Sequence, residues 1–300
     1  MSRILVTGVE GFTGQYLAPL LAAAGHEVHG IVHDDDAYPI RGVHKFYPAD
    51  ITDLSSVTRV AKEVRPEYVV HLAGIAFVAH ADVEQIYRAN IVGTRQLLEA
   101  LANLSERPQS VLIASSANVY GSAREGILHE SMTPCPANDY GVSKLATEHL
   151  ARLYRDSLPL IVVRPFNYTG RGQSTHFVIP KITAHARARA PSIELGNVSV
   201  ARDFSDVRTI AQIYSRLLET PKAIGGTYNV CSGRAVTLAE VLEIVARLSG
   251  HQMEVCVNPA FVRNNEVQIL RGSTAKLESV IGSVSSITLE ETLRWMLDER

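Results

Sequence analysis

Along the first 165 residues, short apolar runs rich in β-branched side chains alternate with stretches whose apolar positions recur every three or four residues. The runs at 3–7, 27–32, 44–47, 68–72, 110–114 and 160–163 predict strands. Between them, "TGQYLAPLLAAAG" (13–25), "DLSSVTRVAKEV" (53–64) and "DVEQIYRANIVGTRQLLEALANL" (82–104) predict amphipathic helices. Gly25 and Pro66 stand where a helix should stop before the next strand. This alternation predicts βαβ units, and hence an α/β fold with a doubly wound parallel sheet and helices on both faces. After Pro165 the rhythm breaks and Gly, Pro and Arg become frequent. Only "TYNVCSG" (227–233) reads as a further strand of the same sheet.

Bulk composition narrows the function classes. Three hundred residues, 46% hydrophobic, suffice for a large core. A net charge of -2 lacks the basic balance of a nucleic-acid binder, so no nucleic-acid partner is expected. The charge is split, with 11 Lys and Arg against 17 Asp and Glu in residues 1–150, and 18 against 14 in residues 151–300. A cationic second half suits a small polyanionic ligand. Cys135, Cys231 and Cys256 lack metal-ligand or disulfide spacing and read as buried thiols in a reducing compartment. No apolar run approaches the ~18 residues of a membrane span. The strand-like "ILVTG" begins right after Met1-Ser2-Arg3, leaving no room for a signal peptide. A cytoplasmic protein without a membrane partner is expected.

The first chemical signal is "VTGVEGFTG", with Gly8, Gly11 and Gly14 at three-residue intervals between the first strand and the first helix. Missing β-carbons allow a tight turn, and backbone amides at a helix N-terminus can then approach a pyrophosphate. Phe12 and Thr13 belong to the same loop. "HDDD" (33–36) follows the second strand, and Asp34 lies 20 residues past Gly14. An acid there can accept from adenosine ribose hydroxyls and repels a 2′-phosphate. "GIVHDDD" holds no Arg, although His33 could partly serve a phosphate. The expectation is a Rossmann-type dinucleotide-binding domain over 1–165, with later contributions near 200–233. Its cofactor is NAD(P)(H), leaning to NAD(H). The remainder, mainly 166–300, would form a smaller mixed α/β substrate lobe.

The second signal is "DYGVSKLATEHLARLY" (139–154), where Tyr140 and Lys144 share one helical face. An ammonium beside a phenol favours phenolate, lowering a pKa that is ordinarily about 10 and giving a usable proton donor and acceptor. "SSANVYG" (115–121) follows the strand at 110–114. His71 reads as a satisfied strand histidine, and with no ligand-spaced cluster no metal site is expected.

"TGxxGxxG" at 7–14, "SSxxVYG" at 115–121 and "YxxxK" at 140–144, in this order, resemble the extended short-chain dehydrogenase/reductases that act on nucleotide sugars. The resemblance runs over nearly the whole chain. It implies that Ser116 bonds the sugar carbonyl or hydroxyl, Tyr140 is the acid/base, and Lys144 also holds the nicotinamide ribose. Leu72, Ala73 and Gly74 would line the cofactor, with Asp50 and Ile51 on its adenine side. "RPFNYTGRGQ", "ELGNVSVARDFSDV" and "RNNEVQILRGS" look like the subgroup that handles GDP-mannose derivatives. By that likeness Asn167, Leu195, Arg202, Arg263 and Glu266 would bind a GDP-sugar, guanidinium groups giving forked donors to phosphate. Relatives are usually homodimers, here through helices 81–104 and 140–157. Two departures stand out: Arg171 where the family's loop has Pro, and "GSVS" (282–285) where it has "GWxP".

The opening pair of serines then separates two chemistries. The 4,6-dehydratases of this family keep a Glu two residues before the "YG" tyrosine, to move a proton during water loss. Here that position is Asn118, preceded by Ala117, and an amide does not titrate near neutral pH. Reduction of a C4 ketone on a GDP-4-keto-6-deoxyhexose is therefore expected, to a product such as GDP-rhamnose. Dehydration through another acid/base, C4 epimerisation, and a non-enzymatic dinucleotide sensor stay open as alternatives.

Overall fold

The structure, a computed structural model of the chain, describes residues 1–33, 40–76, 82–121, 126–261 and 269–298. The strands are β1 (Arg3–Thr7), β2 (Glu27–Val32), β3 (Val43–Pro48), β4 (Tyr68–His71), β5 (Ser110–Ala114), β6 (Ile127–Leu128), β7 (Leu160–Pro165), β8 (Asn167–Thr169), β9 (Ser192–Leu195), β10 (Ala201–Asp206), β11 (Thr227–Val230), β12 (Ala235–Thr237), β13 (Glu254–Val257) and β14 (Ile269–Gly272). The helices are α1 (Gly14–Ala23), α2 (Leu54–Val64), α3 (Val83–Tyr87), α4 (Gly93–Ala102), α5 (Asp139–Leu153), α6 (Val178–Arg187), α7 (Val207–Leu218), α8 (Leu238–Ser249), α9 (Ala275–Ile281) and α10 (Leu289–Leu297).

Seven strands form one parallel sheet in the order β11-β7-β5-β4-β1-β2-β3. This is the expected Rossmann-type fold. Ile4 and Val6 of β1 point into one apolar cluster with α1, α7 and α9, while Leu5 between them points into another with α2, α4 and α5. Both faces are therefore buried, which is why these strands read as near-continuous apolar runs. A second, smaller sheet runs β12-β10-β14-β6, with β8 also paired to β10. Beside it α6, α8 and α10 enclose a separate apolar cluster with Ile193 and Leu195 of β9.

The chain runs from β1 out to β3, then crosses back to β4 on the other side of β1. Strand order thus reverses between β1 and β4, and the crevice beyond their carboxyl ends is where such sheets bind ligands.

Several boundaries differ from expectation for local reasons. β7 continues past Val163 through Arg164 and Pro165, which pair with Asn229 and Val230 of β11. Arg164 looked like an end because it is charged, yet it is buried against Glu148 through two contacts of 2.8 and 2.7 Å. The helix expected over 82–104 is interrupted between α3 and α4 by a π-helical turn, Arg88–Val92. Of the three cysteines only Cys231 is buried; Cys135 and Cys256 are exposed. Among the described residues no helix is long and apolar enough to cross a membrane.

Candidate functional site

The glycine loop leaves β1 with Gly8 at φ +66, and a β-carbon there would lie 2.8 Å from the backbone of Ala73. A β-carbon on Gly14 would meet Val9 O at 2.3 Å. Only glycine permits both approaches. α1 then begins at the mouth of the crevice with no acidic residue in its first turn, as a phosphate requires. Gly74, after β4, has φ +152 and no room for a side chain beside Asn90 Oδ1. These cradles fit a dinucleotide pyrophosphate.

Glu10, inside the glycine loop, was not foreseen. Its Oε1 accepts the main-chain N–H of His33 at 3.1 Å, just beyond β2, while Oε2 is buried without a partner. A buried carboxylate oxygen without a donor suits a ribose hydroxyl that supplies one. His33 itself is exposed there. Asp50 Oδ1 accepts from Thr52 N–H and Oγ1 at 2.8 and 2.7 Å, and the backbone bond above all holds its carboxyl below the usual range. Ile51 packs where Gly93 opens α4. Asp34, Arg263 and Glu266 lie outside the described residues.

Ser116, Tyr140 and Lys144 come together. Ser116 leaves β5 as the N-cap of a short turn, Ala117–Tyr120, and lies close enough to Tyr140 to oppose in part the rise of its pKa. α5 is capped by Asn138, which accepts from Gly141 N–H at 2.7 Å. One turn on, Lys144 Nζ donates to Ala114 O at 3.0 Å, at the end of β5.

The electrostatics correct one expectation. Burial raises the Tyr140 phenol well above its ordinary value, only partly opposed by Ser116, and Lys144 does not pull it down. Lys144 Nζ stands 5.9 Å from the phenol ring centroid, and its own pKa is lowered to about 8 by burial. Tyr140 is thus protonated at neutral pH, the state that a proton donor needs.

A hydrogen-bonded chain stands behind this cluster. His71 Nδ1 lies 2.7 Å from Thr7 Oγ1 and Nε2 lies 2.9 Å from Thr94 Oγ1, so His71 is satisfied as read. Thr94 Oγ1 donates to Asn90 O. Asn90 Nδ2 gives to Ser143 Oγ at 2.9 Å and to Ile75 O, and its Oδ1 accepts from Ile75 N–H. Nothing in the sequence pattern marked Asn90, because it falls inside an apparently continuous helix.

On the other wall, Asn167 Nδ2 donates to Asp203 O at 3.3 Å, beside Arg202 on β10. Leu195, on β9, is buried in the apolar cluster beside the smaller sheet. Tyr168 joins the walls, stacking on Phe12 at 5.9 Å with its hydroxyl 2.8 Å from Thr13 Oγ1. Arg171, the departure from the family loop, donates to Trp295 O at 2.6 Å and lies over the indole ring. It ties the loop to α10. "GSVS" is likewise structural, since Ser283 O accepts from Arg216 and Val284 packs on the main core.

The family model described as GDP-mannose 4,6 dehydratase matches residues 5–296. A GDP-6-deoxy-D-talose 4-dehydrogenase of Aggregatibacter actinomycetemcomitans is 33% identical, covering 99% of this chain and 96% of that protein. A GDP-6-deoxy-D-mannose reductase of Pseudomonas aeruginosa is 35% identical with the same coverage. Among solved structures, a Burkholderia cenocepacia J2315 protein provisionally named an epimerase matches with TM-score 0.93 and 47% identity, covering 99% and 97% of the two chains. RMD from Pseudomonas aeruginosa, complexed with NADPH, matches with TM-score 0.85 and 33% identity over 99% and 98%.

Proposed function

The chain belongs to the GDP-mannose 4,6-dehydratase family, and from that premise we propose that it is an NAD(P)H-dependent reductase of the C4 ketone of a GDP-4-keto-6-deoxyhexose. The observation that carries the reading is the pocket corner formed by Ser116, Asn118, Tyr140 and Lys144. It contains a protonated phenol with a hydroxyl close by, and an amide where water loss would need an acid. Glu130, a nearby carboxylate that could replace that acid, is already accepting the N–H of Asn229 at 2.8 Å.

The two relatives named above act on GDP-6-deoxyhexoses that differ in configuration at C4, which points to the oxygenated C4 centre as the site of chemistry. When bound, the dinucleotide supplies the hydride. Tyr140 gives its proton to the developing alkoxide, and Ser116 holds that oxygen by donating a hydrogen bond. Lys144, anchored on Ala114 O, would hold the nicotinamide ribose through its ammonium. Residues 1–165 with 200–233 would hold the dinucleotide and 166–300 the GDP-sugar. There Asn167 and Arg202, with Arg263, Glu266 and the Leu195 segment, would form its nucleotide side. Asp34 and Glu10 together favour NAD(H). A homodimer through α3, α4 and α5 is supported by the exposed Val83 of α3, Val92 of the π turn that leads into α4, and Val142 and Leu153 of α5. A cytoplasmic location is consistent with this nucleotide-sugar chemistry.

Two incubations followed by mass spectrometry test the function. GDP-4-keto-6-deoxymannose with NADH or NADPH should consume cofactor and yield a GDP-6-deoxyhexose, whose C4 configuration NMR reads. GDP-mannose with NAD(P)+ should lose no water. Water loss there, or interconversion of C4 epimers without net cofactor use, would overturn the reading.

A further inference from the structure

Ser116 Oγ accepts two hydrogen bonds from one residue: the backbone N–H of Asn118 at 3.1 Å and its side-chain Nδ2 at 3.1 Å. A hydroxyl oxygen has two lone pairs and one proton. With both lone pairs engaged, the proton of Ser116 is left to donate. Across the site the hydroxyl is close enough to Tyr140 to affect the phenol's pKa. We propose that Asn118 is a positioning residue for ketone reduction, its amide locking Ser116 as a hydrogen-bond donor toward the sugar C4 oxygen.

The inference rests on the reductase reading and adds a reason for the amide itself, beyond the absence of an acid. During reduction the hydride adds to C4, the C=O π pair moves onto oxygen, and Tyr140 O–H supplies the proton that completes the alcohol. Negative charge grows on that oxygen, and a donor already aimed at it needs no reorganisation. In the resting site Asn118 occupies both lone pairs of Ser116 Oγ, so the serine O–H is free to donate, while Tyr140 keeps its own proton. An arriving ketone oxygen, with two lone pairs and no proton, then fits two donors, Ser116 and Tyr140. An acceptor at position 118 would turn Ser116 away from both. Its O–H would rest on that acceptor, and the growing charge would lose one of its two donors.

The geometry also explains why position 118 can do this. Ala117–Tyr120 is a tight turn whose N-cap is Ser116, so the second residue of the turn folds back over the capping oxygen. The Asn118 carbonyl sits against Gly141, where a β-carbon would lie only 2.7 Å from it, so α5 pins the turn from behind. Among the described residues, the titratable side chains that act on Tyr140 here include Lys144 of α5, Tyr168 of β8 and Tyr214 of α7, and these, like Tyr140, stay protonated below pH 7.

The test substitutes Asn118→Asp, which keeps shape and offers only acceptors when ionised. In steady-state reduction of the ketosugar near pH 7.5, kcat should fall about 100-fold, the scale of one lost oxyanion donor, with KM within a few-fold. Because a protonated carboxyl can donate again, the Asn118→Asp rate should climb as pH falls from 7 toward 5, a limb the wild type lacks. Asn118→Ala, which frees Ser116 to rotate, should lose about ten-fold without that limb. Asn118→Asp activity within two-fold of wild type across this range would overturn the proposal, as would equal losses in both variants with no acidic limb. A neutron structure of the wild type reads the same arrangement without substrate. Amide deuterons of Asn118 on Ser116 Oγ are expected, and Oδ1 in that place overturns the proposal. A wild type that reduces no ketosugar would instead refute the reductase reading, leaving the neutron map to decide the direction of the Ser116 hydroxyl.

Discussion

Lys144 should be a stability liability in the ligand-free protein, and Lys144→Met should reveal it. The side chain is 7% exposed, donates to Ala114 O at 3.0 Å, and titrates at about 8 instead of 10.5 because burial penalises its charge. In the unfolded chain the amine keeps its proton to about pH 10.5. Below pH 8 both states are protonated, so the folded state carries the whole penalty. Between pH 8 and 10.5 the unfolded state binds more protons, and stability rises with pH. At 1.36 kcal/mol per pKa unit the penalty is about 3 kcal/mol at pH 7. Methionine keeps the apolar stem and forfeits one hydrogen bond to a backbone carbonyl, worth about 1 kcal/mol. Net stabilisation of about 2 kcal/mol at neutral pH follows, or roughly 4 °C in Tm for a chain of this size. Urea unfolding without nucleotide, at pH 7 and again near pH 10, measures it, since bound ligand would add its own stabilisation. The advantage should shrink toward zero at the higher pH while turnover is lost at both. A variant less stable than wild type at pH 7, or an advantage unchanged between the two pH values, would refute the reasoning.

Tyr140→Phe should cut turnover by about two to four decades with dinucleotide affinity nearly unchanged, measured by stopped assays and by quenching of intrinsic fluorescence on NADH binding. Glu148→Ala strands the buried Arg164 guanidinium and deprives Ser115 Oγ of its 2.7 Å acceptor, so unfolding free energy should drop by about 3–5 kcal/mol. Pairing it with Arg164→Met should restore much of that loss in the same urea titration; a single variant within 1 kcal/mol of wild type would contradict the account. Glu10→Gln keeps the acceptor for His33 N–H and removes a charge beside the ribose edge. NADPH should then gain about ten-fold on NADH in Kd by calorimetry, the size of a partly exposed like-charge repulsion, and an unchanged ratio would release Glu10 from cofactor choice.

What the sequence disclosed followed from periodicity and from chemistry that must be local. β1, β2 and β5 were legible to the residue, because each is an apolar run buried on both faces and ended by a turn. The glycine loop was legible because its need for missing β-carbons is written in consecutive positions. Arg164 hid the end of β7, since charge reads as exposure until its partner Glu148 is placed by α5, 16 residues earlier. Glu10 hid for another reason. Its partner is a backbone N–H on the next strand, and backbone donors leave no trace in residue identity. The Tyr140 phenol was assigned the wrong direction because spacing showed an ammonium one turn away but could not show the depth of burial, which outweighs it.

Asn90 shows how such invisible contacts hold the visible ones in place. A regular helix over 82–104 would have carried its side chains evenly around the axis, and the π turn breaks that regularity at Arg88–Val92. Asn90 there reaches Ser143, whose own hydroxyl donates to Tyr140 O, so the first turn of α5 is braced from behind the phenol. Through Thr94 and His71 the same chain reaches Thr7 and the N–H of Ala73, where β1 and β4 part. Thr94 donates to Asn90 O and so must accept from His71 Nε2–H, which makes Nδ1 the acceptor from Thr7. Burial lowers the His71 pKa to about 3, so this one tautomer persists across any pH at which the protein works. The glycine loop at Gly8 and the buried phenol of Tyr140, the proposed phosphate cradle and proton donor, are thereby built on one relay with a single direction of donation. A histidine that titrated in the working range would reverse a link of it, which is a physical reason for this residue to sit in the core and take no part in the chemistry.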